Sequence, residues 1–284
     1  MSRDPGRRST RLDGIWPRRR PVVMGVLNCT PDSFSDGGRC FDLDDALRHG
    51  ERLTGEGASI IDVGGESTRP GAADVSADEE RRRVLPVITE LRRRFPDIVL
   101  SIDTSRAAVA AEALASGADV VNDVTAASDP EMLDLVATQG AAIVLMHMRG
   151  KPRTMQQETS YQHVVAEVHA YLRRRAAAAA AAGIPSDRVW LDPGIGFGKD
   201  DSGNLALLAA LADLALLGHP VLIGPSRKSF IGHLTGAPVA DRLPGTLGAL
   251  IPALDLPRVV LRVHDPAAVL QFVEIAARVK EASA

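Results

Sequence analysis

The sequence predicts a single closed (β/α)8 barrel, on three observations. Short apolar runs rich in β-branched residues alternate about eight times with longer segments of helical period. Those short runs are near-continuous in hydrophobicity, as strands buried on both faces of a parallel sheet require. Eight such units spread over 284 residues favour closure into a barrel over an open, doubly wound sheet, which needs fewer.

The elements follow in order. The first strand is the run 22–27, and the helix after it covers 42–57, stopping at Gly57. Strand two is 60–63, followed by a highly charged helix over 77–94. Strand three is 99–102, and its helix, 106–116, ends before Gly117. The fourth strand, 120–121, is the shortest, and Asp129-Pro130 opens the next helix, which runs to Gly140. Strand five is 142–146; the helix over 160–182 carries the alanine run 176–182, a strong helix former rather than a spacer, and closes at Gly183. Strand six is 189–191, with a helix over 203–217 closed by Gly218. Strand seven is 221–223, and Pro252 should kink or end the following helix, 243–254. Strand eight is 259–263, and a helix over 266–281 completes the set. No linker divides the chain, so residues 21–284 are read as one TIM barrel with its active site at the C-terminal ends of the strands.

Composition narrows the function. With 45% hydrophobic and 24% charged residues the chain is ordinarily globular, and no apolar run approaches the roughly 18 residues of a membrane helix. Two cysteines, Cys29 and Cys40, are too few for a disulfide scaffold and fit a reducing cytoplasm. Residues 1–20 hold seven Arg against two Asp, a balance of +5, which leaves 26 basic and 34 acidic residues elsewhere, a balance of −8. The first 20 residues are therefore read as a basic, flexible arm, without the apolar stretch of a secretory signal. The acidic remainder argues against nucleic-acid binding, which needs a basic stripe on the folded part.

Catalytic groups of such a barrel should gather where strands end. Read in order, those positions are Asn28, Asp62 with Glu66, Asp103, Asn122, His147, Asp192, Ser226–Lys228, and Arg262 with His264. Asp103, Asn122 and Asp192 supply acceptors and an amide that suit the N–H edge of a flat amino-pyrimidine heterocycle. Arg69, Lys228, Arg262 and His264 supply positive charge for phosphate or carboxylate. Asn28 could hold a hard cation such as Mg2+, which binds largely through substrate phosphates. Arg262 and Asp265 also admit a plain strand-end ion pair. The Gly194–Lys199 stretch is glycine-rich yet fits neither G-x-x-x-x-G-K-[ST] nor G-x-G-x-x-G, so a nucleotide loop is disfavoured. The seven histidines include no His-x-His pair of the kind a barrel zinc hydrolase would place on a strand. Lysines are scarce (151, 199, 228 and 280), so one in a loop stands out.

Eight strand-end segments resemble the signature motifs of the dihydropteroate synthases. Leu27-Asn-Cys-Thr-Pro-Asp-Ser-Phe-Ser-Asp-Gly-Gly38 is similar to the first signature loop, and Asp62-Val-Gly-Gly-Glu-Ser-Thr-Arg-Pro-Gly71 to the second. Ser101-Ile-Asp-Thr104, Val121-Asn-Asp123, Leu145-Met-His147, Leu191-Asp-Pro-Gly-Ile-Gly-Phe197, Ser226-Arg-Lys-Ser-Phe230 and Arg262-Val-His-Asp265 follow in the same order. The resemblance runs from about residue 21 to the C-terminus.

The resemblance implies a sulfonamide-target transferase of folate biosynthesis that joins 6-hydroxymethyl-7,8-dihydropterin diphosphate to p-aminobenzoate. By the same resemblance Asp103, Asn122, Asp192 and Lys228 hold the pterin, with Val124 and Met146 lining its slot. Asn28, Thr68, Arg69, Arg262 and His264 grip the diphosphate, Asn28 also placing Mg2+. Phe34, Pro70, Phe197, Lys228 and Ser229 form the p-aminobenzoate pocket. Asp36, Lys228, Arg262 and His264 are the implied catalytic residues, Asp36 lying near the pterin cation left when diphosphate departs. Asp62 and Glu66 are read as organising the second loop, and Cys29 as packing. A homodimer is also implied, though Pro252 and Pro257 depart from the family pattern next to the helix that helps form it. Two rivals share the fold: a methyltetrahydrofolate methyltransferase-like barrel, disfavoured by Arg69 and the Ser226–Lys228 loop, and a non-catalytic pterin-binding paralogue.

Overall fold

The strands at Val22–Asn28 (β1) and Val259–Val263 (β8) pair in parallel, Met24 opposite Arg262, and this pairing closes the sheet on itself. Between them lie β2 (Ile60–Gly64), β3 (Val99–Asp103), β4 (Val120–Asp123), β5 (Ala142–Met146), β6 (Val189–Asp192) and β7 (Val221–Ile223), each bonded in parallel to the next. The computed structural model describes residues 5–16, 20–30, 42–67, 75–150, 154–155 and 157–282. Helices cover the outside: α2 (Leu43–Gly55), α3 (Ala77–Arg94), α4 (Ala107–Ser116), α5 (Met132–Gln139), α6 (Val164–Ala181), α7 (Asp201–Ala209), α8 (Leu211–Ala215), α9 (Ser229–Thr235), α10 (Leu243–Leu250) and α11 (Pro266–Glu281). A further helix, α1 (Pro5–Asp13), precedes the barrel. Among the described residues no helix is long and apolar enough to cross a membrane.

Local chemistry accounts for the helix ends. Asp42 caps α2 by accepting from the backbone N–H of Asp44 and Asp45, and Ser76 caps α3 through that of Glu79. Helix α3 carries Asp78, Glu79 and Glu80 in its first turn and Arg92, Arg93 and Arg94 in its last, so both ends complement its dipole. Gly117 ends α4 at φ 117° and Gly140 ends α5 at φ 58°, backbone conformations that favour glycine.

Period-two geometry sorts the strand residues into two layers. Val23, Ile61, Val121 and Leu191 face outward into the large core shared with the helices. Val22, Met24, Ile60, Val99, Val120, Val144, Trp190 and Val260 face inward and fill the lower barrel. One step further along the same inner face stand Asp62 after Ile60, Asn122 after Val120, Met146 after Val144, Asp192 after Trp190 and Arg262 after Val260. Asp103 is two steps beyond Val99, and Asn28 two beyond Met24. The polar layer therefore sits directly on an apolar one, at the C-terminal end of the barrel.

Residues 5–16 differ from the expected flexible arm. Helix α1 and the residues after it form the floor of the barrel, with Leu12 and Ile15 each only 2% exposed against the lower inner layer. Trp16 meets the buried Trp190 edge-on, centroids 6.4 Å apart. Arg8 donates to the carbonyls of Leu114 at 2.7 Å and Ala118 at 3.1 Å, near the end of α4, and of Gln139 at 2.7 Å, at the end of α5. Arg11 and Arg92 both reach the fully buried carboxylate of Asp119, each at 2.6 Å. Residues 1–4 and 17–19 lie outside the described residues.

One helical expectation is revised and another is met. The expected helix 203–217 is two, α7 and α8, meeting at Ala210. Helix α10 stops at Leu250 and passes into a 3-10 turn, Ile251–Ala253, so Pro252 does break the helix as expected.

Candidate active site

Three strands meet at one carboxylate, and a fourth joins through Arg262. Asp62, fully buried on β2, accepts at Oδ2 from Arg262 Nε on β8 at 2.7 Å and from Asn122 Nδ2 on β4 at 2.9 Å. Arg262 continues to Asp103 Oδ2 on β3 at 2.9 Å. Among the described residues Asp62 is thus the hub of the inner polar layer rather than an organiser of the second loop. The expected loop role is seen for Glu66, which accepts from Arg106 at 2.7 Å and from the backbone N–H of Val75 at 3.4 Å. Nor is Arg262 paired with Asp265, whose carboxylate instead takes a bidentate pair from Arg227, at 2.5 and 3.0 Å.

Because a carboxylate only accepts, Asn122 must turn its NH2 toward Asp62, which leaves its carbonyl oxygen to accept from a ligand's N–H. Burial pushes the Asp103 carboxyl above the usual carboxylate range, while the neighbouring Arg262 opposes it. Burial likewise raises Asp192, opposed chiefly by the Lys228 ammonium. The Asp192 carboxylate is oriented by the backbone N–H of Gly194, 2.7 Å from Oδ1.

Lys228 is the cationic wall of the site. Its amine donates to the Ile195 carbonyl and sits 4.1 Å from the centroid of the Phe197 ring. Burial pulls its pKa from 10.5 down to about 7, with Asp192 pulling the other way. Ser229 follows as the first residue of α9. The preceding Arg227 has φ 57°, held by its own pair with Asp265 and by the Thr246 hydroxyl on its backbone N–H. Ser226 Oγ lies 2.9 Å from His264 Nδ1 and accepts from the His264 backbone N–H at 3.2 Å.

After β4, Asp123 accepts from Thr125 N at 2.7 Å and Ala127 N at 3.0 Å, holding Ala126 and Ala127 at positive φ beside Val124. Val124 and Met146 are both buried, at the ends of β4 and β5. Asn28 stands at the end of β1, partly exposed.

The structure therefore brings Asn28, Asp103, Asn122, Val124, Met146, Asp192, Phe197, Lys228, Ser229, Arg262 and His264 to the C-terminal end of the barrel. Phe34, Asp36, Thr68, Arg69 and Pro70 lie outside the described residues. Sequence reasoning gave no ligand-side role to Asp62 or Ser226, though inner-face parity with Ile60 marks the first. Cys29 is fully buried and its thiol is pushed up by that burial, in keeping with packing.

Comparison with known proteins agrees with this geometry. Residues 24–264 match the family described as "Pterin binding enzyme". The dihydropteroate synthase of Escherichia coli K12 is 46% identical over 245 residues, covering 86% of each chain. The dihydropteroate synthase of Yersinia pestis, solved as a sulfonamide drug complex, superposes with a TM-score of 0.86 at 42% identity over 92% of this chain and 95% of its own. That of Xanthomonas albilineans, solved with 4-aminobenzoic acid, gives a TM-score of 0.86 at 46% identity over 95% of this chain and 94% of its own. Its complex with 7,8-dihydropteroate gives 0.83 at 43% identity, over 95% of each.

Proposed function

The chain belongs to the family of pterin-binding enzymes and is a transferase of folate synthesis, and from that premise we propose how, as a dihydropteroate synthase, its site joins 6-hydroxymethyl-7,8-dihydropterin diphosphate to p-aminobenzoate. The observation that carries the reading is the inner polar layer hung on Asp62, whose acceptors match the donor edge of a pterin.

Asp103, Asn122 and Asp192 take the N–H groups of the pterin, with Lys228 on its acceptor side and Val124 and Met146 against its faces. Asn28, Arg262 and His264, joined by Thr68 and Arg69, meet the diphosphate. If the Ser226 hydroxyl donates to His264 Nδ1, then Nε2 keeps the proton and presents a donor to a phosphate oxygen. Phe197, Lys228 and Ser229, with Phe34 and Pro70, receive p-aminobenzoate, whose carboxylate suits the Lys228 ammonium.

An aromatic amine is an uncharged nucleophile at neutral pH, so the difficult event is departure of the diphosphate. The C–O bond of the hydroxymethyl group breaks and diphosphate leaves, the carboxylate of Asp36 is assigned to offset the resulting cation, the amine nitrogen bonds to that carbon, and it then releases a proton. Among the described residues no cluster of three or more His, Cys, Asp or Glu could cage a metal. The amide oxygen of Asn28 at the phosphate end instead suits Mg2+, which keeps most of its water and, when bound, offsets the charge on the departing diphosphate.

We also propose a cytoplasmic homodimer: exposed Leu205, Leu234 and Ile251 lie on α7, α9 and the turn after α10, and α7 packs against both of the others. Sedimentation would read it; a monomer at all concentrations would refute it. The activity itself is tested by incubating the protein with both substrates and Mg2+. Release of diphosphate with formation of dihydropteroate is expected, whereas pterin diphosphate binding without condensation would make the chain a non-catalytic paralogue.

A further inference from the structure

Lys199 is one of four lysines and the only one that the sequence places at the end of a glycine-rich loop. It is 3% exposed, although lysine is among the residues least often buried. Its amine donates to the carbonyl oxygens of Gly194 at 2.9 Å, Phe197 at 3.0 Å and His147 at 2.9 Å, and lies 3.0 Å from His147 Nδ1. An ammonium has three N–H donors, and three carbonyls meet them.

The loop is shaped for this. Gly194, Gly196 and Gly198 adopt φ of 71°, 81° and 66°. A Cβ on Gly194 would strike the His147 carbonyl and come within 2.9 Å of Lys199 Nζ, so only glycine allows the carbonyl just after β5 and those of the β6 loop to share one cation. His147 itself is held neutral, its pKa lowered to about 3 by burial and by Lys199, with its ring edge-on to Tyr171 at 4.9 Å. Burial also pulls the Lys199 pKa down, and Asp192 opposes that shift.

What this knot secures is the p-aminobenzoate side of the site. The same short loop carries Phe197, whose ring underlies the Lys228 amine, and Ile195, whose carbonyl receives it. Asp192 belongs to β6 itself, with its backbone carbonyl bonded to His147 N at 3.0 Å, so it is anchored by the sheet as well. We propose that Lys199 is a positioning residue for the nucleophile subsite: its buried amine fixes the 194–198 loop so that Phe197 and Lys228 are set for p-aminobenzoate. This rests on the assignment of Phe197 and Lys228 to that substrate.

A rival account makes Lys199 a space filler, which Met would replace without loss. Lys199→Met and Lys199→Gln, each checked for folding by circular dichroism, separate the two. Turnover by the unaltered protein is measured first, and its failure would overturn the functional assignment and this proposal together. With turnover established, the Met variant should raise KM for p-aminobenzoate about tenfold or more while Kd for pterin diphosphate, read by calorimetry, moves less than about threefold. The Gln variant, with two N–H donors, should fall between. Unchanged KM in the folded Met variant, or equal loss of both substrates, overturns the proposal. So does failure of both variants to fold, since the lysine would then be a requirement of the barrel as a whole.

Discussion

The Nε of Arg262 lies 2.7 Å from Oδ2 of Asp62, joining strands that neighbour each other only through β1, and the same oxygen holds the amide of Asn122. Asp62 therefore orients one residue assigned to the diphosphate and one assigned to the pterin without itself being assigned to either. Asp62→Asn keeps the shape but removes the charge that both donors share. Binding of pterin diphosphate should weaken by about 1.5–3 kcal/mol, the usual worth of a hydrogen bond to a charged group, as read by calorimetry. Full affinity in a folded variant would show that Arg262 and Asn122 hold their orientations unaided.

At the other end of the barrel Asp119 bonds Arg11 from α1 and Arg92 from α3 while fully buried. Asp119→Ala strands those cations and should cost roughly 3–5 kcal/mol in urea unfolding. KM for either substrate should stay unchanged, because Asp119 precedes β4 and the site follows it. Removing residues 1–16 should be destabilising too, since full burial of each side chain such as Leu12 and Ile15 stabilises by about 1.5–3 kcal/mol. A truncated protein as stable as the full chain would refute the floor.

These two ends show what the sequence made legible. Strands could be read because burial on both faces writes continuous apolar runs, and Asp103, Asn122 and Asp192 because they stand where those runs stop. Arg8 could not be read: its partners are backbone carbonyls 106 to 131 residues away, which no side-chain pattern announces. The same holds for Lys199, whose acceptors are mostly carbonyls. The break at Ala210 was hidden because the apolar period continues across it, with neither Gly nor Pro at the junction.

Asp192 is buried and accepts the Gly194 N–H at Oδ1, which leaves its other lone pairs for the pterin assigned to it. Asp192→Ala should weaken pterin diphosphate binding by about 2–5 kcal/mol, the range for truncating one partner of a buried charge-assisted pair. Calorimetry reads this directly. An unaltered Kd would remove the carboxylate from the pterin site.

Among the described residues the donor at the end of β1 is a single amide, so Mg2+ should be held weakly in the absence of substrate and more tightly with the diphosphate present. Chelation should abolish turnover, and added Mg2+ should restore it. Asn28→Ala should raise the Mg2+ concentration needed for half-maximal rate by about tenfold, a loss of roughly 1.4 kcal/mol. Turnover that survives exhaustive chelation would refute the metal's part.

Lys228 offers a pH test in which stability and activity move in opposite directions. Burial lowers its pKa from 10.5 to about 7, so the folded protein without substrate loses the amine's proton near pH 7 while the unfolded chain keeps it to 10.5. Between those values the unfolded state binds more protons, and the Lys228 contribution therefore raises stability as pH climbs from about 7 toward 10.5. Activity should do the reverse, because only the ammonium attracts the p-aminobenzoate carboxylate and sits favourably over Phe197. The free-enzyme profile of kcat/KM for p-aminobenzoate should fall on the alkaline side with a midpoint near 7. Lys228→Arg keeps a charge that does not titrate there, so the alkaline fall should flatten even if the absolute rate drops. Lys228→Met should lose the pH-dependent part of the stability as well. A profile in Lys228→Arg with the same alkaline midpoint as the unaltered protein would assign that titration to another group.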